Sequence, residues 1–201
     1  RITALMAIIH LLDDDLRVTR ACAFLLESLG YEVMCWAEGE MFLAQANLYQ
    51  AGVVLLDMRM PGLDGRGVHE ALRQSGSTLG VVFLTGHGDV PMAVEQMKQG
   101  AVDFLQKPVS VEPLQAALER ALELSMEAVS RQRILGNYQQ LTPKERELAL
   151  LVVQGLMNRE IAQVMNIAVR TVEVHRARVM EKMHAGSLAE LVWILQQVIQ
   201  S

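Results

Sequence analysis

Between residues 8 and 105, short aliphatic runs alternate with amphipathic segments in a regular rhythm. The runs at 8–12, 32–36, 53–56, 81–84 and 102–105 have the length and apolar content of strands, and a helical pattern follows each. Asp15 is placed to cap the first helix and Gly30 to end it. Asp89-Val-Pro opens another, with Pro91 near its first turn and Gly100 past its end. Five β/α repeats with aliphatic strands predict a doubly wound parallel sheet buried on both faces.

The pattern then changes. A long helical period starts at Glu112 and fades near Gly136-Asn137, and no strand pattern follows it. Segments 141–155, 158–165, 171–183 and 187–200 read as four short helices. The first begins with LTPKERE, in which Thr142 is the N-cap, Pro143 the first helical residue and Glu145 the third, a capping box. The expected organisation is an α/β domain over 1–125, a partly helical linker over 126–140 and an all-α four-helix domain over 141–201.

Composition supports two packed units. Hydrophobic residues make up 51% of the 201 residues and charged ones 20%, enough apolar surface for cores and too little charge for disorder. The net charge of -5 is unevenly spread. Residues 1–125 carry 9 Lys and Arg against 16 Asp and Glu, whereas 126–201 carry 9 against 7. An acidic front and a mildly basic back suit different partners, the back one a polyanion. Cys22 and Cys35 lack metal-ligand spacing and read as reduced thiols in or near the core. The opening RITALMAIIHLLDDD runs into three aspartates without a cleavage site, which predicts a strand and no signal peptide, with Met6 the expected native start. No apolar run reaches the roughly 18–20 residues of a membrane span, so a cytoplasmic protein is expected.

The candidate chemistry lies where the strands end. In an open α/β sheet, ligands sit outside the carboxyl ends of the strands. Asp13 and Asp14 follow the first strand, Asp57 the third and Thr85 the fourth, and Lys107 lies past the fifth. Three carboxylates converging there repel one another and call for a cation, and oxygen-only ligands open to water suit Mg2+. Asp57 ends a central strand and is the candidate nucleophile toward a phosphoryl group, with Asp13 and Asp14 as metal ligands. Thr85 and Lys107 are placed to hold phosphoryl oxygens. Each residue alone also fits a plain role as cap, strand end or solvated charge; the constellation across four strand ends does not.

These residues resemble a known family. DDD at 13–15, Asp57-Met-Arg-Met-Pro-Gly, Thr85-Gly-His-Gly and Lys107-Pro are similar to the receiver domain of two-component response regulators, over about residues 8–125. The resemblance implies a flavodoxin-like receiver in which Asp57 accepts a phosphoryl group from a sensor histidine kinase. It implies Mg2+ held by Asp13, Asp14, Asp57 and the backbone carbonyl of Arg59. Thr85 and Phe104 match the switch hydroxyl and switch aromatic, and Lys107 the phosphate-sensing lysine.

In the back domain, TVEVHRARVMEKM places Val172, Val179 and Met183 on one apolar stripe and Arg170, Glu173, Val174, Ala177 and Arg178 on the opposite face. An apolar back with a basic and small-residue front suits a helix in the DNA major groove, although a solvated accessory bundle has the same spacing. LTPKERE, NREIA and TVEVHRARVMEKM resemble the LuxR-type helix-turn-helix of the NarL/FixJ regulators, over residues 140–195. The stretch GHGDVPMAVEQMKQGAVDF adds a likeness to the FixJ branch. The resemblance implies a recognition helix from Thr171 to Met183 and a fourth helix that contributes to dimerisation in relatives. Arg170, Arg176, Arg178 and Lys182 are then phosphate or guanine candidates, and Glu173 a cytosine candidate. Two departures stand out: Ala168 replaces the family's usual serine ahead of the recognition helix, and Glu173 stands where many relatives carry a basic residue.

The expected function is a phosphorylation-switched regulator that dimerises, or releases its DNA-binding domain, binds promoter DNA and activates transcription with RNA polymerase. Alternatives remain at this point. A constitutive dimer with a non-switching receiver fits the back domain, and a protein-interaction adaptor needs no DNA. An aspartate-nucleophile phosphatase also needs Asp57, Mg2+ and Lys107, but Arg59 occupies the place of its general acid.

Overall fold

The computed structural model describes residues 7–199, so the expected start at Met6 and the end of the last helix at Gln200 lie outside the described residues. The chain divides into two compact units, 1–129 and 130–201.

The first unit is built from β1 (Ile8–Leu12), α1 (Leu16–Ser28), β2 (Glu32–Trp36), α2 (Gly39–Gln45), β3 (Gly52–Asp57), α3 (Gly65–Ser75), β4 (Gly80–Thr85), α4 (Val90–Lys98) and β5 (Asp103–Gln106), followed by α5 (Val111–Gln139). The strands form one parallel sheet in the order β2-β1-β3-β4-β5. Alternation within each strand sorts the core into two layers. Ile9, Leu11, Val53, Leu55, Val82 and Leu84 pack with α1 and α5, whereas Leu12, Val54, Leu56, Val81 and Phe83 pack with α2, α3 and α4. β3 and β4 are buried along their whole length.

The edges correct one expectation. Burial on both faces holds for the central strands, but β2 exposes Glu32, Met34 and Cys35 because it has only one neighbour. Cys22 is buried on α1, whereas Cys35 is exposed on that edge and not a core thiol.

Local signals set the helix ends. The Asp15 carboxylate accepts from the Arg17 amide at 2.9 Å to cap α1, and Gly30, at φ 92°, turns the chain out of it. Ser125 of α5 is buried, accepts from the Gly52 amide at 3.0 Å and donates to the Thr78 carbonyl at 2.6 Å, pinning the helix to the strand starts. The helical pattern that fades at Gly136 in the sequence continues in space to Gln139.

The second unit holds α6 (Pro143–Val153), α7 (Asn158–Met165), α8 (Val169–Lys182) and α9 (Leu188–Ile199) around Leu148, Ile161, Val172, Val179 and Leu191. The capping box at α6 forms: Thr142 Oγ1 accepts from the Glu145 amide at 3.2 Å and Glu145 Oε1 from the Thr142 amide at 3.0 Å. α8 begins at Val169, ahead of the predicted Thr171, because Asn166 takes the left-handed conformation that ends α7 and Ala168 follows as N-cap without a side-chain bond. No helix among the described residues is long and apolar enough to cross a membrane.

Candidate functional site

The strand order reverses at β1, with β2 on one side and β3 on the other, and the acidic residues gather at this switch point. Asp13 follows β1 directly and its amide donates to the Trp36 carbonyl at 3.2 Å, which fixes the loop. Asp57 is the last residue of β3. One carboxylate oxygen each from Asp13, Asp14 and Asp57 lie within 4.8 Å of one another, with Asp13 and Asp57 buried and Asp14 exposed. The predicted carboxylate triad is therefore one cluster whose donors fit a hard divalent cation.

Lys107 closes the cluster. Its Nζ lies 2.7 Å from Asp13 Oδ2 and 3.2 Å from Asp57 Oδ1. Its amide donates to the Thr85 carbonyl at 2.8 Å, and a cis peptide bond joins it to Pro108. Burial pushes the Asp57 carboxyl above its ordinary value, the Asp13 charge adds to this, and Lys107 opposes both. Burial pulls Lys107 down, but its hydrogen bond to Asp13 and the two carboxylate charges outweigh this and leave it raised.

Thr85 ends β4, fully buried, and its hydroxyl donates to the Leu105 carbonyl at 3.4 Å, toward β5 rather than Asp57. Phe104 is half-buried against the α2–α4 layer. The Arg59 amide faces Asp57 Oδ1 at 3.5 Å. Gly65 opens α3 against this site: a Cβ there would meet the Asp57 carbonyl oxygen at 2.4 Å, so only glycine permits the approach. Sequence reading missed that the Arg59 side chain holds Asp89, the residue before α4, with Nη2 2.7 Å from Oδ1. It also missed a buried His69–Gln96 bond of 2.8 Å between α3 and α4. Neither pair carries a local sequence signal.

On α8, Val172, Val179 and Met183 are buried, whereas Arg170, Thr171, Glu173, Val174, Ala177 and Arg178 are exposed, as a groove-reading helix requires. Arg176 and Lys182 differ from these six. Arg176 Nη1 donates to Asn158 Oδ1 at 2.6 Å, and Lys182 Nζ pairs with Glu145 Oε1 at 2.6 Å.

A parallel sheet with a carboxylate cluster at its switch point and a helical unit presenting one basic helix suit a two-domain regulator, and the comparisons with known proteins agree. Residues 9–119 match the response regulator receiver domain family and residues 139–195 the bacterial regulatory proteins of the luxR family. The chain belongs to the two-component response regulators of NarL/FixJ type, which regulate transcription through a LuxR-type DNA-binding domain. It is 81% identical over 187 residues to the tetrathionate response regulatory protein TtrR of Salmonella typhimurium, covering 93% of this chain and 91% of that protein. The transcriptional regulatory protein FixJ of Bradyrhizobium diazoefficiens is 41% identical over 189 residues, 92% of each chain. Among solved structures, the response regulator StyR superposes with a TM-score of 0.73 at 36% identity over 95% of this chain and 98% of that one.

Proposed function

We propose that Asp57 is the phosphoacceptor and that its phosphorylation turns on DNA binding at promoters of tetrathionate-respiration genes. The observation that carries this is the convergence of Asp13, Asp14, Asp57 and Lys107 at one sheet edge, with Lys107 Nζ 3.2 Å from Asp57. The Asp57 carboxylate attacks the phosphoryl group of a kinase phosphohistidine; an O–P bond forms, the N–P bond breaks and the imidazole leaves. Asp13, Asp14, Asp57 and the Arg59 carbonyl would hold Mg2+, which neutralises charge on the phosphoryl oxygens.

The new group adds about −1.5 to −2 charge. Lys107 moves from Asp13 toward it, Thr85 turns its hydroxyl from Leu105 to the same oxygens, and Phe104 fills the space Thr85 leaves. That repacks the α4–β5 surface on which the chain dimerises, releases the helix-turn-helix, or both. Two recognition helices then bind a spaced repeat and recruit RNA polymerase. The domains that act are the receiver over 1–125 and the DNA-binding domain over 141–201, joined through 126–140, in the cytoplasm. The chain turns over no small substrate of its own. The identity to TtrR supports the tetrathionate assignment.

The test is solution mass by light scattering with Mg2+, before and after beryllofluoride, for the wild type and Asp57→Ala. A monomer that dimerises only when Asp57 is present supports the switch. An unchanged mass in both proteins, together with unchanged promoter affinity, refutes it.

A further inference from the structure

The ion pair between Lys182 and Glu145 joins the last residue of α8 to the first turn of α6. Its two halves are unequal. The Glu145 side chain is only 2% exposed, whereas that of Lys182 is 36% exposed. Glu145 Oε1 receives both the Thr142 amide at 3.0 Å and the Lys182 ammonium at 2.6 Å, and Oε2 is buried without a hydrogen bond. Lys182 also reaches the Gln140 carbonyl at 3.4 Å. A buried carboxylate with one vacant oxygen depends on its cation far more than a surface pair does. Lys182 is therefore held where it is, and its ammonium is withdrawn from the row formed by Arg170, Glu173, Val174, Ala177 and Arg178.

We propose that Glu145 is a positioning residue for DNA recognition: through Lys182 it anchors the C-terminal end of the recognition helix, and neither residue touches DNA. The inference rests on the DNA-binding reading of α8. The contrary role for Lys182, a phosphate contact, predicts a different sign for two measurements, which makes the alternatives separable. Removing a negative charge from a protein raises its affinity for a polyanion if charge alone acts. Removing the Glu145 charge lowers it if the charge holds α8 in register with the groove.

The test uses the full chain activated with beryllofluoride and a duplex that the wild type selects from a random-sequence pool. Affinity is measured against salt for the wild type, Glu145→Gln, Lys182→Gln, Lys182→Arg and the Glu145→Gln/Lys182→Gln double variant. Glu145→Gln keeps the oxygen that completes the capping box, and circular dichroism at the assay temperature verifies folding of each protein. The expected result is a loss of about tenfold for Glu145→Gln and for Lys182→Gln, the scale of one base contact, with the salt slope unchanged. The double variant is no weaker than either single one, and Lys182→Arg restores most of the affinity. The proposal is overturned if Glu145→Gln binds as tightly as wild type or tighter, or if Lys182→Gln lowers the salt slope by about one. A wild-type chain that selects no duplex overturns the DNA-binding reading itself.

Discussion

The guanidinium of Arg59 grips the carboxylate of Asp89, with Nε 2.9 and 3.1 Å from its two oxygens and Nη2 2.7 Å from Oδ1. Asp89 is buried at the start of α4, yet its side chain makes no bond to the helix it precedes. The carboxylate that would cap α4 is held by the β3–α3 loop instead. That helix buries Ala93 and Gln96, and the bridge ties the residue ahead of its first turn to the β3–α3 loop. Arg59→Ala is expected to speed amide hydrogen exchange over residues 90–94 while leaving β1 and β3 protected. Equal exchange in both proteins would show that the bridge holds nothing.

Lys107 pairs with both Asp13 and Asp57 and would compete with a divalent cation for the same oxygens. Lys107→Met is expected to tighten Mg2+ binding by about tenfold, the scale of one unit charge removed at short range. Trp36 fluorescence reads this titration, since its carbonyl holds the Asp13 loop. Asp57→Asn is expected to raise the melting temperature in metal-free buffer, because burial and Asp13 disfavour the ionised Asp57.

The start of α8 lacks a capping side chain at Ala168, whose backbone is already extended, at φ -69° and ψ 149°. A serine fits that conformation and its hydroxyl reaches a first-turn amide. Ala168→Ser is expected to stabilise the domain by about 1 kcal/mol, measured by urea denaturation.

His10 is buried on β1 beside Trp36 and Phe42, and Trp36 Nε1 donates to its Nδ1 at 3.1 Å. A proton on Nδ1 would face that N–H head on, and Nε2 is buried without a partner. Burial lowers the pKa from 6.5 to about 4. The unfolded chain binds the proton first as pH falls, so stability declines from about pH 6.5 and the loss is complete near pH 4. The full loss from this group is about 3 kcal/mol. His10→Phe is expected to flatten the stability profile over this window, relative to wild type.

What the sequence could disclose depended on range. β1 and β2 have their expected bounds because apolar content and strand pairing end together there. β3 and β4 run one residue further at each end, since the ladder takes in Gly52, Asp57, Gly80 and Thr85 regardless of their polarity. The acidic cluster was legible because each member follows an apolar run, and the Thr142 capping box because its partners are three positions apart. Arg59 with Asp89, and Lys182 with Glu145, stand 30 and 37 positions apart. No periodicity links such pairs, and only the packed chain brings them together.

The carboxylate cluster and its lysine draw on β1, β3 and the segment after β5, so their charges meet only when the strands from β1 across β3 and β4 to β5 have paired. A chain with β5 unpaired would lack Lys107 at Asp13 and Asp57 and leave those carboxylates without their cation. On the phosphoacceptor reading proposed above, a chain that has not paired β5 would offer a kinase no assembled site.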